Sequence, residues 1–476
     1  MKKGFKVSLQ ELSSTIKLPR TQLNVFNFLI FITPIIIFGY TLYVYYPGCL
    51  TFDSYNQLTQ ITSGSFSPGH PLFHTLLEVL LLKIFNSPAT IAAFQILCFS
   101  FIWFLICKYN NKSVKGVGFK ILQVLLVIVI CINPINSIHS ITLWKDILYS
   151  YMILLLSFFF QVMADKKFIL KNSEILALSL LLVVIPNLRH NGLIVLIVST
   201  AVLVLLLFIL DRKSKNWIKL LITTILFFNL FQIPNKLLIE DTNNLFGVFT
   251  YKTLHLTSAY LHEELFTEEE QKYLGTIIDL DEVFNGYNPY FLDPMGTPFY
   301  RRESYPENET KLRMLLLEKS IENPKSFFRY LGKSTVVIWK LRLSPDTIGT
   351  ILTLGHDGTD GVKEIRKIHT EETFFAKYNE YINLTLTNKY TGLIFYSAGF
   401  YLYLSIGLMT LLLLWKRVNK YYLLILLPNL LNMVGLAISI PVQDTRYVYS
   451  SFLVGYLVIL LFLKEIYLKC STKVGK

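Results

Sequence analysis

Long apolar runs separated by short polar links repeat along almost the whole chain, and the runs are of membrane-spanning length. They fall near 23–45, 89–107, 119–134, 147–163, 173–187, 193–210, 217–234, 390–415, 421–440 and 447–463. A helix crosses the hydrocarbon core with about 20 apolar residues, in a usual range of about 17–25. The pattern therefore predicts an all-α polytopic membrane protein with about 10 transmembrane helices.

The links test that count, because cytoplasmic loops collect Lys and Arg. Basic residues stand in every second link: Lys2, Lys3, Lys6, Lys17 and Arg20 before the first run; Lys108, Lys112, Lys115 and Lys120; Lys166, Lys167 and Lys171; Arg212, Lys213, Lys215 and Lys219; Lys416, Arg417 and Lys420; and the tail from Lys464 to Lys476. Alternating helices put all six clusters on one side, so both termini are expected in the cytoplasm. The alternation requires that 71–86, PLFHTLLEVLLLKIFN, does not span. Its length and its His74, Glu78 and Lys83 suit a juxtamembrane amphipathic helix in the first outer loop.

A large insert separates the seventh and eighth runs. Residues 235–389 hold 23 of the 32 acidic residues against 18 Lys and Arg, a net −5 where the rest of the chain is +18, which places the insert outside. Three parts follow: an N-terminal transmembrane module, 1–234, with its first outer loop at 46–88; the extracytoplasmic insert, 235–389; and a C-terminal transmembrane module, 390–476. Within the insert, EELFTEEEQKYL (263–274) predicts a helix with Thr267 as N-cap and Glu270 completing a capping box. NGYNPYFLDPMGTP (285–298) is rich in turn residues. Residues 312–342 predict two amphipathic helices broken near Asn323-Pro324, and 344–388 a polar loop with one helix.

Composition agrees with the membrane class: 53% apolar and 16% charged, against about 25% charged in soluble domains, with a mean hydropathy of +0.48. The net charge of +13 does not indicate nucleic acid, because the cations sit in the alternate links. Five cysteines in or beside apolar runs form no disulfide framework. The basic lead of about 22 residues runs into an apolar stretch too long for a signal-peptide core, which reads as a retained first helix.

Few charged residues remain on the predicted outer face: Asp53, His70, His139, Lys145, Asp146, Arg189, His190, Asp444 and Arg446, besides the insert. Asp53 reads as an N-cap opening a short helix or as a catalytic base. A carboxylate near a low-dielectric boundary has a raised proton affinity and can take the proton of an attacking hydroxyl. His70, in the turn Ser67-Pro68-Gly69-His70-Pro71, is either solvated surface or a donor to phosphate; one histidine does not make a metal site. In Trp144-Lys145-Asp146, Trp144 suits the aromatic belt and Lys145 snorkels or holds a phosphate, with Asp146 orienting it or acting as a second carboxylate. Arg189 and His190 lie in the very short link Asn187–Gly192, where Arg189 snorkels or grips phosphate through its planar fork. Asp444 and Arg446 pair with each other or cap the last helix; alternatively Arg446 is a second phosphate ligand and Tyr447 a wall for a sugar or isoprenoid.

Three cations at the membrane edge and one separate carboxylate suit a lipid-borne donor: a phosphate gripped by Lys145, Arg189 and Arg446, a lipid tail among the helices, and an acceptor hydroxyl activated by Asp53. That is glycosyl transfer from a polyprenyl-phosphate sugar to a cell-wall or capsular glycan or a protein. No G-x-x-x-x-G-K-[ST] or G-x-G-x-x-G after a strand is present. A polysaccharide polymerase or ligase uses the same chemistry. A lipid-linked glycan transporter or flippase should show ionisable residues in mid-span, and the spans are nearly uncharged there.

The order of these features resembles the GT-C superfamily of multispan glycosyltransferases, most closely bacterial members related to the protein-mannosyltransferase-like group and a set of Gram-positive membrane proteins. The motifs are P-G-x-x-x-x-D-S-x-x-Q (Pro47 to Gln57), His70-Pro71, Trp144-Lys145-Asp146, R-x-N-G (Arg189 to Gly192), YNPYFLDP (287–294) and D-x-R-Y ending at Tyr447. The resemblance covers most of the chain, strongly in the first 200 residues and weakly in the insert. It implies a GT-C-like fold in a bacterial plasma membrane, Asp53 as base and inversion at the sugar carbon. Two departures matter: many members pair the first-loop acid with a neighbouring acid, whereas Ser54, Tyr55 and Asn56 follow Asp53, and the usual His-Pro-Pro is His70-Pro71-Leu72. They leave open whether a divalent metal takes part and whether Asp146 or the insert supplies a second carboxylate.

Overall fold

The computed structural model describes residues 20–114, 116–239, 247–292, 295, 301–342 and 372–474. Lys2, Lys3, Lys6, Lys17, Lys115, Lys476 and the insert residues 344–371 fall outside the described residues. The described chain is helical, with only isolated β-bridges between loops. In order, α1 is Arg20–Val44, α2 Phe52–Ser63, α3 Leu72–Ile84, α4 Pro88–Asn111, α5 Val117–Ile132, α6 Pro134–Ile141, α7 Lys145–Asp165, α8 Asn172–Leu188, α9 Gly192–Leu210 and α10 Asn216–Leu238. The insert contributes α11 Gly247–His262, α12 Glu268–Ile277, α13 Leu280–Asn285, α14 Tyr305–Glu322, α15 Pro324–Ser334, α16 Val336–Trp339 and α17 Glu372–Thr387. The chain then runs through α18 Lys389–Tyr396, α19 Ala398–Leu414, α20 Leu427–Ser439 and α21 Tyr449–Val474.

Seven helical stretches among the described residues are long and apolar enough to cross a membrane (α1, α4, α7, α9, α10, α21, and Lys420–Ser439, where a 3-10 turn over Lys420–Leu426 leads into α20), and nine spans result if each of two bent pairs, α5 with α6 and α18 with α19, counts as one. The apolar run at 173–187 forms α8, which is apolar but only 17 residues long. The breaks have local causes. Asn133 stops α5 and caps α6, accepting from the Ile135 amide at 3.0 Å with Pro134 at the first position of the new helix. Ser397 does the same for α19, accepting from Phe400 N at 3.1 Å.

Helix α7 is the axis of the bundle, with 78% of its most apolar window buried. Its Lys145 end therefore reaches a place enclosed by other elements. Segment 71–86 folds as α3, a helix outside the candidate spans, with its polar side turned inward: His74, Thr75 and Glu78 are buried while Leu80 and Ile84 are exposed. In the insert, Thr267 caps α12 and Glu270 closes the box, with the Thr267 amide donating to Glu270 Oε2 at 2.8 Å. The break at Asn323-Pro324 separates α14 from α15. Insert and bundle meet at the 440–448 loop, where Leu292 N donates to Pro441 O (2.8 Å), and Gln443 donates to Ser334 O (2.7 Å) and accepts from Val337 N (3.1 Å).

Candidate functional site

The placement of Asp53 begins at Gly48. Its φ of +119° suits a residue without Cβ, and a Cβ there would lie 2.9 Å from Ile141 O. This close approach lets Cys49 N donate to Ile141 O (3.0 Å) and accept from Leu143 N through its carbonyl (3.1 Å). The first loop is thereby joined to the strand-like turn between α6 and α7. Two side chains complete the joint: Trp144 Nε1 donates to Thr51 Oγ1 at 2.7 Å, and Ser54 Oγ donates to Leu143 O at 2.8 Å.

The N-cap of α2 is Thr51, whose amide donates to Ser54 Oγ at 3.1 Å, so the expectation that Asp53 caps the helix is corrected. Thr51 and Ser54 satisfy the end, and Asp53 in the first turn is left to reach elsewhere. Its Oδ2 lies 2.6 Å from Arg446 Nη1. Arg446 also donates through Nη2 to Tyr447 Oη (2.8 Å), places Nε 3.5 Å from Asp444 Oδ2, and lies 4.7 Å from the ring centroids of both Trp144 and Tyr447. Its amide donates to Asp444 Oδ1 at 2.9 Å, so Asp444 and Arg446 do pair, within the loop before α21. Trp144 is buried beneath this guanidinium.

Burial alone would raise the proton affinity of Asp53, but Arg446, Lys145 and His70 outweigh it and take the carboxyl down to about 2. The sequence pointed to a separate carboxylate with a raised proton affinity. Both points are corrected by one contact, because the late Arg446 loop returns to the first loop.

A second ion pair stands beside the first. Arg189 Nη1 is 2.6 Å from Asp146 Oδ1, with Asp146 1% exposed, and the guanidinium lies 4.3 Å from the Tyr447 ring centroid. Arg189 is thus paired rather than snorkelling, and Tyr447 is in cation–π reach of both arginines. The R-x-N-G link is fixed further by Asn191, which donates to Asn432 Oδ1 at 3.2 Å; Tyr149 donates to the same oxygen at 2.9 Å. Lys145 donates to His70 Nδ1 at 2.7 Å, and His190 Nε2 donates to Pro68 O at 3.1 Å, closing the His-Pro turn over the cluster. Burial, reinforced by Lys145, takes the His70 imidazole down to about 4, so it stays a neutral acceptor.

All eight candidates, Asp53, His70, Lys145, Asp146, Arg189, His190, Arg446 and Tyr447, therefore lie in one connected cluster. Three carboxylates (Asp53, Asp146, Asp444) offset three cations (Lys145, Arg189, Arg446). The cations are not idle: a ligand phosphate has to compete with carboxylates already in place. Among the described residues no three His, Cys, Asp or Glu side chains converge as a metal site, and Asp53 and Asp146 are taken up by arginines. Among the described residues this donor set does not fit a divalent metal.

Behind the cluster lies a polar layer whose residues the sequence marks only as helix polarity and a motif end, not as contacts of one another. Gln57 Nε2 donates to His74 Nδ1 (2.9 Å) and Thr75 Oγ1 (3.1 Å), and Glu78 Oε1 lies 3.8 Å from His74 Nδ1. Burial pushes the Glu78 carboxyl up to about 8 and the His74 ring down to about 3, so the contact joins two neutral groups. The signal was the spacing: Gln57 follows Asp53 by four, and Glu78 follows His74 by four, each pair sharing a helix face. No protein-family model, curated protein or solved structure matches this chain.

Proposed function

We propose that this protein is a GT-C-type membrane glycosyltransferase with ten spans and cytoplasmic termini. It moves a sugar from a polyprenyl-phosphate donor to a wall or capsular glycan, or a protein, on the outer face of a bacterial plasma membrane. The observation that carries this reading is the 2.6 Å contact between Asp53 and Arg446. It sets a carboxylate against a guanidinium, the group best shaped to hold a phosphate, with Lys145 and Arg189 in the same cluster.

In this reading the donor phosphate draws on Arg446, Lys145 and Arg189. As the phosphate takes up Arg446, Asp53 loses the charge that suppresses its proton affinity, and burial then raises that affinity. The acceptor oxygen attacks the anomeric carbon as its proton passes to Asp53. The carbon–oxygen bond to phosphate breaks with its electron pair leaving on the phosphate, where the cations stabilise the charge. Attack from the face opposite the phosphate inverts the sugar carbon. Asp146 serves by holding Arg189 rather than as a second base. His70 positions Lys145, and Tyr447 forms the wall between the arginines.

The test is Asp53→Asn, which keeps the shape and removes the base, with mass spectrometry of the envelope glycans. Loss of one sugar decoration at a normal protein level is expected; unchanged glycans sink the assignment.

A further inference from the structure

Lys252, in α11 of the insert, is a cation that the cluster around Asp53 does not use. Arg446, Arg189 and Lys145 each have a partner at 2.6 or 2.7 Å. Among the described residues Lys252 Nζ has only Ser334 Oγ and Ala437 O, each at 3.4 Å, the outer limit of a hydrogen bond, and the Tyr330 ring with its centroid at 5.4 Å. Among the described residues no carboxylate stands within ion-pair distance of it. Ala437 lies in the last turn of α20, whose carbonyls attract a cation, but one long contact there holds the half-buried ammonium only weakly. Burial alone draws this amine down to about 8.

The surroundings are built rather than loose. His255 Nε2 donates to Asn288 O at 2.7 Å, which leaves Nδ1 to accept from Tyr330 Oη at 3.1 Å and fixes that ring beside Lys252. Ser334 is held through its carbonyl by Gln443 at 2.7 Å, in the loop that goes on to Asp444 and Arg446. A side chain with spare N–H donors against an aromatic wall forms a half-built anion site; the Ser334 hydroxyl behind it is fully buried and donates to Leu331 O at 3.4 Å.

We propose that Lys252, beside the Tyr330 ring, forms a second anion subsite that takes a phosphate group. That phosphate comes from a lipid headgroup or from a soluble phosphate ester. The ammonium donates to its oxygens, and the bound charge restores the proton affinity that burial removes. The subsite stands apart from the transferase reading, so a failure of the Asp53→Asn test leaves it untouched.

The experiment uses the full chain in detergent at about pH 8, near the value of the amine itself. It compares pyridoxal 5′-phosphate with uncharged pyridoxal. The amine condenses with the aldehyde, releasing water, and borohydride reduces the imine to a secondary amine that peptide mass spectrometry locates. Lys252 should be modified about tenfold more by the phosphate-bearing aldehyde, a preference of about 1.4 kcal/mol, and inorganic phosphate should suppress the reaction. The exposed Lys272 and Lys325 should show no such preference. Protection by phosphatidylglycerol but not by glycerol 1-phosphate assigns a lipid headgroup, and the reverse assigns a soluble ester. Equal modification by both aldehydes, no modification of Lys252, or modification that neither phosphate source suppresses overturns the subsite and leaves Lys252 as a helix cap.

Discussion

The Arg446 guanidinium holds the Asp53 carboxylate at 2.6 Å across 393 positions of sequence, so the proposed base and the proposed phosphate ligand occupy each other. With Asp53 at about 2, the free protein keeps this carboxylate ionised throughout the physiological range. A donor phosphate that shares Arg446 weakens the pairing and raises the proton affinity of Asp53. The acid limb of kcat, which reports the donor complex, should therefore lie at higher pH than the acid limb of kcat/KM, which reports the free enzyme. Coincident limbs in a transfer assay would argue against release of Asp53. Asp53→Asn should lower kcat by roughly 10²–10⁴ while leaving donor affinity within a few-fold.

Asp146 and Arg189 make a buried ion pair at 2.6 Å, and removing one partner strands the other. Arg189→Ala should cost about 3–5 kcal/mol of stability and weaken affinity for a polyprenyl-phosphate analogue. Asp146→Asn combined with Arg189→Gln should recover part of the stability but none of the affinity. A double-mutant cycle read by thermal unfolding in detergent, beside analogue binding, separates the two effects.

Gly48 has a positive φ and no room for a Cβ. Gly48→Ala should lose about 1–2 kcal/mol from the backbone alone, and more from the contact with Ile141 O. Because Cys49 and Thr51 follow directly, transfer should fall beyond what the lost stability explains. Gly39→Ala, with nothing within 4 Å of the added carbon, is the control and should leave thermal stability unchanged or slightly improved.

The sequence reading places both termini in the cytoplasm, and Cys470 tests the C-terminal half of that expectation. It is the one exposed cysteine among the described residues; Cys49, Cys107 and Cys131 are buried and Cys98 half-buried. An impermeant maleimide should label Cys470 only after the cells are opened. Labelling in intact cells would invert the topology.

The helices and the cluster were legible in the sequence for different reasons. Apolar runs and basic links report on lipid and on charge bias, properties local to each segment, so α1, α4, α7 and α9 could be placed from pattern alone. Asp53, Arg189 and Arg446 stood out because ionisable residues at helix ends are few. Their pairing did not, because which carboxylate meets which cation depends on how loops far apart in sequence come together. The N-cap was misplaced for a simpler reason. Asp53 and Thr51 are both good caps, and the choice fell to Thr51 because Trp144 and Leu143 hold Thr51 and Ser54 from outside the helix.

Glu78 offers a pH test that needs no substrate. It is 2% exposed, its Oε2 has no hydrogen-bond partner among the described residues, and burial raises its carboxyl from 4.5 to about 8. Between these values the folded protein holds a proton that the unfolded chain releases. This contribution to stability is therefore complete below about 4.5 and is lost as pH rises through about 8. Glu78→Gln keeps the shape and the donor but cannot ionise. Unfolding temperatures of the two proteins should be close at the acid end of the window, and the variant should gain steadily on the parent as pH rises, levelling off above about 8. Lys145 opposes the shift by favouring the carboxylate, so in a Lys145→Met background the gain from Glu78→Gln should be larger and should level off at higher pH. A difference independent of pH would mean that Glu78 is ionised in the folded protein and that His74, 3.8 Å away, carries the compensating charge.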